Sequence, residues 1–164
     1  KVIKMAFWSV DLNLRNQQFD ARLSGCTANT IILSQWVLTC CNVGDSRCIL
    51  GTMDIKGHNL WKEWAFNGVH SFSEKERKEH WRCISLSKDH KPTVETEKHW
   101  IQQSGGRVIA VTDPSTGQQI GPHWVWLKDI DIPGLAMTWS FGDEIVRQIG
   151  VICDPEIWEI ELEE

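Results

Sequence analysis

Tyrosine is missing from these 164 residues, while tryptophan occurs ten times. Several of those indoles fall where a polar residue is expected, an oddity of composition that returns below. Positive charge is also short, with 17 Lys and Arg against 22 Asp and Glu, for a net charge of −5. No basic stripe is present to release counterions from a phosphate backbone, which excludes non-specific nucleic-acid binding. No apolar stretch is long enough to span a membrane, and no secretory leader pattern opens the chain. Among the six cysteines there is no Cys-x-x-Cys or Cys-x-x-His pair, which argues against a zinc site and a disulfide framework. Cys26, Cys40, Cys41 and Cys48 lie in or beside apolar, strand-like runs and read as core thiols of a reducing compartment. The expectation is an intracellular protein, cytoplasmic or nuclear, with neither membrane nor nucleic acid as partner.

What is present suits one soluble domain over residues 1–164, since 41% hydrophobic and 24% charged residues are ordinary values for a globular core of this length. Apolar residues Val2, Ile3, Met5, Ala6, Val10 and Leu14 recur at helical spacing and predict a helix over 1–16. Strands are expected at Thr27–Leu33 and Trp36–Cys41, joined at Ser34-Gln35, and again at Arg47–Met53. Residues 54–82 mix charged and aromatic side chains without a clean period and read as a surface insertion, with a short helix at Glu74–His80. Trp61, Trp64 and Phe66 there are read as a satellite core, with an interaction patch as the alternative. Further strands are expected at Cys83–Ser87, Arg107–Thr112, Trp124–Leu127 and Val151–Leu162. Thr93–Ser104 suits a helix capped by Thr93, with Glu95 and Glu97 in its first turn and Gly105-Gly106 at its end. Glu144–Ile149 is expected as a short helix. The acidic tail, Glu156 to Glu164, reads as a solvated face. Strands dominate and helices are segregated, so the fold class is α+β.

The most informative stretch is Trp36–Gly51, WVLTCCNVGDSRCILG. An apolar run enters Asn42-Val43-Gly44-Asp45-Ser46-Arg47 and another leaves it, so two buried strands are expected to meet at a Gly44 bend. A carboxylate there stands at the end of a sheet, where a metal or phosphate can reach it. The plainer alternative is a turn aspartate bonding its own backbone.

The remaining motifs decide between these. In chain order they are Ser24-Gly25-Cys26-Thr27-Ala28; Asn42–Arg47; Asp89-His90-Lys91-Pro92; Gly105-Gly106-Arg107-Val108; Val125-Trp126-Leu127-Lys128; Pro133-Gly134-Leu135-Ala136-Met137; Ser140-Phe141-Gly142-Asp143; and Gly150-Val151-Ile152 before Asp154-Pro155-Glu156. The series resembles the protein phosphatase 2C family of metal-dependent Ser/Thr phosphatases, in the same order and with similar spacing, from about residue 20 to 157. The style of GPHWVWLKDIDIPGLAM is closest to plant and protist members.

The resemblance implies two antiparallel sheets packed as a sandwich, flanked by helices and incomplete in this chain. It also implies Mg or Mn ions at one end, held by carboxylates and water, as hard cations prefer oxygen ligands. Two bridged ions can activate a water for in-line attack on a phosphate ester. Asp45 matches an aspartate near an additional, weaker metal site, Thr27 matches a threonine close to the same centre, and Gly44, preceding Asp45 in the chain, is expected as a near-site or structural residue. Asp143 matches the aspartate of the Ser-Phe-Gly-Asp motif and is expected to be structural or in the outer shell of the centre, since a Gly-Asp at a helix entry often caps backbone amides. Asp89 and His90 match a motif of structural role, with His90 expected buried and hydrogen-bonded.

The sequence departs from the family pattern at its main metal ligands. Neither an upstream Glu-Asp pair nor an Asp-Gly-His-Gly-Gly motif occurs; Gly57-His58 lacks the aspartate. The later Asp-Gly and Asp-Asn aspartates belong beyond residue 160. No catalytic residue can therefore be named. Trp100, Trp124 and Trp139 stand where members usually carry Arg, exchanging a charged fork for an apolar ring. A buried carboxylate left unpaired by such a change would cost about 3–5 kcal/mol. The functional expectation is a segment of a phosphatase acting on phosphoproteins, not competent by itself. The alternative is a pseudophosphatase kept for binding or scaffolding in a larger assembly.

Overall fold

The computed structural model describes residues 1–53 and 81–162. The expected insertion at 54–82, with its short helix and its Trp61, Trp64 and Phe66 cluster, lies almost wholly outside the described residues.

The helix α1 (Val2–Arg15) forms as its periodicity predicts, but the inward face is Ile3, Phe7, Asp11 and Leu14 rather than the full apolar set. Val2, Met5 and Val10 are exposed. Phe7 stacks on Phe141, with ring centroids 5.5 Å apart. One turn further along, the most buried residue of this helix is an acid, Asp11.

The strands are β1 (Gly25–Cys26), β2 (Ala28–Ser34), β3 (Val37–Val43), β4 (Ile49–Met53), β5 (Trp81–Ser85), β6 (Arg107–Thr112), β7 (Gln119–Trp126), β8 (Pro133–Leu135), β9 (Phe141–Gly142) and β10 (Glu156–Glu161). Among the described residues they pair as four ladders: β1 with β9; β2, β3 and β10 with β3 in the middle; β4 with β5; and β6, β7 and β8 with β7 in the middle. Every strand pair is antiparallel. Antiparallel sheet with a few segregated helices is the expected α+β class.

Several boundaries move, each for a local reason. The β2–β3 hairpin turns on Gln35 and Trp36, whose φ values of 46° and 66° have the sign a two-residue hairpin loop requires. Trp36 is thus a turn residue and not the first residue of a strand. The final strand begins at Glu156 rather than Val151, because Val151 belongs to the core beneath the helix α2 (Glu95–Gln103). That helix is capped by Val94 without a side-chain hydrogen bond, so Thr93 does not cap it. Its C-terminus closes as expected: the Gly106 N–H reaches the Ile101 carbonyl at 2.9 Å and the Gly105 N–H reaches Gln102 at 3.1 Å. Gly105, at φ 87°, supplies the left-handed residue.

The main buried cluster joins Ile101 of α2, Val108 of β6, Val125 of β7 and Leu127 to Val146, Ile149 and Val151. Side chains of this size, fully buried, each contribute about 1.5–3 kcal/mol. Close approach matters here: a Cβ on Gly106 would stand 2.7 Å from Ile101 Cγ2. The thiols are all free, and only Cys40 and Cys41 are buried. Cys26 is exposed, because two-residue β1 lies on the surface, so it is not a core thiol. No described helix is long and apolar enough to cross a membrane.

Candidate functional site

The bend at 42–47 forms, but it does not join two buried strands. β3 is buried over Thr39–Val43, whereas Ile49 of β4 is exposed, and the two strands belong to different ladders. The bend therefore passes the chain from one ladder to another. Gly44 takes φ 96°, and a Cβ there would meet Thr27 Cγ2 at 2.4 Å. Only glycine fits, both for its backbone and for the threonine against it.

Three polar residues clamp this bend. Asn42, fully buried, donates to the carbonyls of Gly44 (3.1 Å) and Lys88 (2.9 Å) and accepts from Asn29 Nδ2 (3.0 Å). The Gly44 N–H donates to His90 Nδ1 at 3.0 Å, and the His90 N–H returns to the Gly44 carbonyl at 3.2 Å. Thr27 Oγ1 and Ser46 Oγ share a hydrogen bond of 2.6 Å. With Nδ1 accepting, the neutral His90 ring carries its proton on Nε2, which lies 3.6 Å from Glu156 Oε2. Burial holds His90 below the usual imidazole pKa, with Glu156 pulling it up again. Its ring stacks on Trp139, centroids 3.9 Å apart. His90 is buried and hydrogen-bonded, as expected. Glu156, by contrast, faces inward and is not part of a solvated tail.

Asp45 leaves the bend half-buried and meets a cation: Lys91 Nζ lies 3.3 Å from its Oδ2 and 3.6 Å from Asp89 Oδ2. Asp89 in turn takes a two-pronged hydrogen bond from Arg47, at 2.6 and 2.9 Å. The Arg47 guanidinium holds the Asp89 carboxyl below its usual pKa, against a smaller effect of burial. Two carboxylates and two cations thus balance at the mouth of the bend.

The structure brings Thr27, Gly44 and Asp45 together. Asp143 belongs to a different cluster. It is buried, at φ 46°, and makes no side-chain cap to the 3-10 helix Glu144–Ile149 that follows. The expected capping role fails because its carboxylate turns toward β1, where a Cβ on Gly25 would stand 2.0 Å from Asp143 Oδ2. Burial raises its pKa. Around it, Asp11 accepts from the Gly142 N–H (3.0 Å), Arg147 Nη2 (2.7 Å) and Arg15 Nη2 (2.7 Å). Sequence reasoning passed over Asp11, although an acid on the Phe7–Leu14 face of an amphipathic helix was the available signal.

The bend, the Asp89-His90-Lys91 loop and the Ser-Phe-Gly-Asp turn now stand in one chain in a fixed geometry. The family model for protein phosphatase 2C matches residues 1–164. This chain belongs to the protein phosphatase 2C family. It is similar to probable protein phosphatase 2C 48 of Oryza sativa subsp. japonica, 34% identical over 153 residues and covering 91% of this chain and 36% of that protein. It is equally similar to probable protein phosphatase 2C 72 of Arabidopsis thaliana, 34% identical over 153 residues, 93% of this chain and 38% of that protein. The chain therefore spans a little over a third of these relatives' length. Among solved structures, a serine-threonine phosphatase 2C from Toxoplasma gondii superposes with a TM-score of 0.69 at 17% identity, over 96% of this chain and 44% of that one. At that identity the likeness is one of fold, and it carries the phosphatase 2C architecture to this chain.

Members of the protein phosphatase 2C family depend on Mg or Mn. The described residues do not fit such an ion by themselves. Asp45 is a single carboxylate already paired with Lys91, and no three described His, Cys, Asp or Glu side chains come together as a metal site.

Proposed function

We propose that this chain is a segment of a metal-dependent protein Ser/Thr phosphatase domain, of the kind that removes phosphate from phosphoproteins with metal-activated water. By itself the segment does not turn over. What supports the reading is the bend itself: Asn42, Gly44 and His90 fix a half-buried Asp45 at the end of β3 through hydrogen bonds of 2.9–3.2 Å. Such rigidity is more than a turn needs, and it suits a carboxylate whose position matters. Bound Mg or Mn would supply the activated water and neutralise charge on the phosphate; from this chain, Asp45 is the residue placed to reach it, once released from Lys91.

A second reading is a pseudophosphatase, a domain retained for binding or scaffolding in a larger assembly. Trp139 favours it, since its indole is stacked on His90 where the resemblance places an arginine. One experiment separates the two. In a chimera, this chain replaces the matching segment of an active plant relative, and aryl phosphate hydrolysis is followed with Mn2+. The segment reading expects turnover that Asp45→Asn diminishes; a silent but folded chimera overturns it in favour of the scaffold. The isolated chain is expected to show no Mn2+-dependent turnover.

A further inference from the structure

Away from the bend, a pocket of about 190 Å³ opens between α2 and the segment that carries Thr138 and Trp139. Its walls include Trp100, Trp139, Gly150 and Ile152, and Glu97 lines it. The pocket is rigidly built. Trp100 Nε1 donates to the Gly150 carbonyl at 2.8 Å, and a Cβ on Gly150 would stand 2.7 Å from that nitrogen. Trp139 is held by its stack on His90. Thr138, itself buried, donates its hydroxyl to Glu97 Oε2.

No cation answers this carboxylate among the described residues. The nearest basic residue in sequence, Lys98, pairs with Glu95 at 3.7 Å. The other charge felt at Glu97 is Glu156, of the same sign. Two of the three tryptophans that stand at arginine positions by the resemblance are the two indoles of this pocket.

We propose that the pocket is a binding site for a guanidinium group. A carboxylate with one oxygen still free selects a cation, and two indoles select one that is planar, weakly hydrated and able to stack. A guanidinium meets both demands, since its fork matches a carboxylate and its faces match the rings. A compact ammonium meets only the first. A divalent metal finds one carboxylate and no further oxygen ligand of its kind. The site is independent of the phosphatase reading, and none of the bend residues lines it.

The test uses the 164-residue chain at pH 8, above the pKa of about 7 to which burial raises Glu97, and follows the indole N–H resonances of Trp100 and Trp139 by NMR. Probes are N-methylguanidinium, capped arginine amide, a Gly-Arg-Gly peptide and methylammonium. Saturable shifts confined to these two indoles are expected with the three guanidinium probes, with methylammonium weaker by about tenfold, as a charge-assisted fork is lost. Tighter binding of the peptide than of capped arginine assigns the source as an arginine in a polypeptide; the reverse assigns a free small molecule. Glu97→Gln should weaken binding by at least about tenfold. Trp100→Arg, which places a guanidinium in the pocket, should abolish it. Absence of saturable shifts, equal binding of methylammonium, or undiminished binding by the folded Glu97→Gln variant would overturn the proposal.

Discussion

Asp11 and Asp45 invite comparison, since each is a carboxylate that meets cations near a glycine turn. Asp11 is 2% exposed, and its oxygens accept from Arg15, Arg147 and the Gly142 amide. Through Arg147 it also reaches the carbonyls of Ser140 (2.7 Å) and Val151 (3.3 Å). Asp45 stands half-buried with Lys91 as its one ion-pair partner among the described residues, and the neighbouring Arg47 side chain is 70% exposed. The same chemistry thus has different consequences. A buried ion pair with both carboxylate oxygens hydrogen-bonded fixes one packing of α1 against the Ser-Phe-Gly-Asp turn. A surface pair in water is weak and exchangeable, which is what a carboxylate that must change partners requires.

The largest expected effect is on the buried side of this contrast. Asp11→Ala should lower unfolding free energy by about 3–5 kcal/mol in urea denaturation, because Arg147 is left partly buried without its partner; a loss below about 1 kcal/mol, the surface range, would erase the distinction between the clusters. Next in size is Asn42→Ala beneath the bend. Leaving buried carbonyls without donors should cost about 1–3 kcal/mol, and the amide protons of Gly44 and His90 should exchange faster.

A third carboxylate, Glu97, sharpens the comparison by being half-buried with no cation beside it among the described residues. Burial, first, and then Glu156 raise the Glu97 pKa to about 7, against the Thr138 hydroxyl, which lowers it. A carboxyl raised on folding stabilises the protein fully below its unfolded value of 4.5, and that contribution is lost as pH rises through about 7. Stability should therefore fall between pH 4.5 and 7 by an amount that Glu97→Gln removes, read from denaturation midpoints across that window. The Asp89 pair runs the other way. Its carboxyl, depressed by Arg47, contributes above the unfolded value of 3.8, and the contribution is lost as pH falls through its lower folded value. Smallest of all, Lys91→Ala should change stability by less than about 1 kcal/mol. It should nevertheless strengthen any association of Mn2+ with Asp45, measurable by calorimetry; unchanged association would show that Lys91 does not compete for the carboxylate.

What the sequence made legible was local. The α1 periodicity, the Gly44 bend and the Gly105-Gly106 helix end each depend on residues within a few positions of one another. The comparison of family motifs supplied the architecture. What stayed hidden depends on contacts distant in sequence. Nothing near Asp45 announces Lys91, 46 positions away, and nothing near Gly25 announces that Asp143 fills the space where its Cβ would be. Val94 starts α2 although Thr93, one residue earlier, has the better capping chemistry. Glu97 reads in sequence as an ordinary first-turn acid; only the fold reveals that it lines a pocket with Trp100 and Trp139.

Among the described residues β2 pairs on one side only, with β3. Its sequence, Ala-Asn-Thr-Ile-Ile-Leu-Ser, carries no charge and no proline, and Ile31, Ile32 and Leu33 are all exposed. Natural sheets usually blunt such a strand with a lysine, a proline or a bulge, and this one has none of them. The unpaired side offers a ready template on which a like strand from another molecule can add, and then another. As an edge among the described residues, these seven positions are where strand addition between folded molecules would begin, and a lysine in place of Ile32 is the kind of change that blunts it.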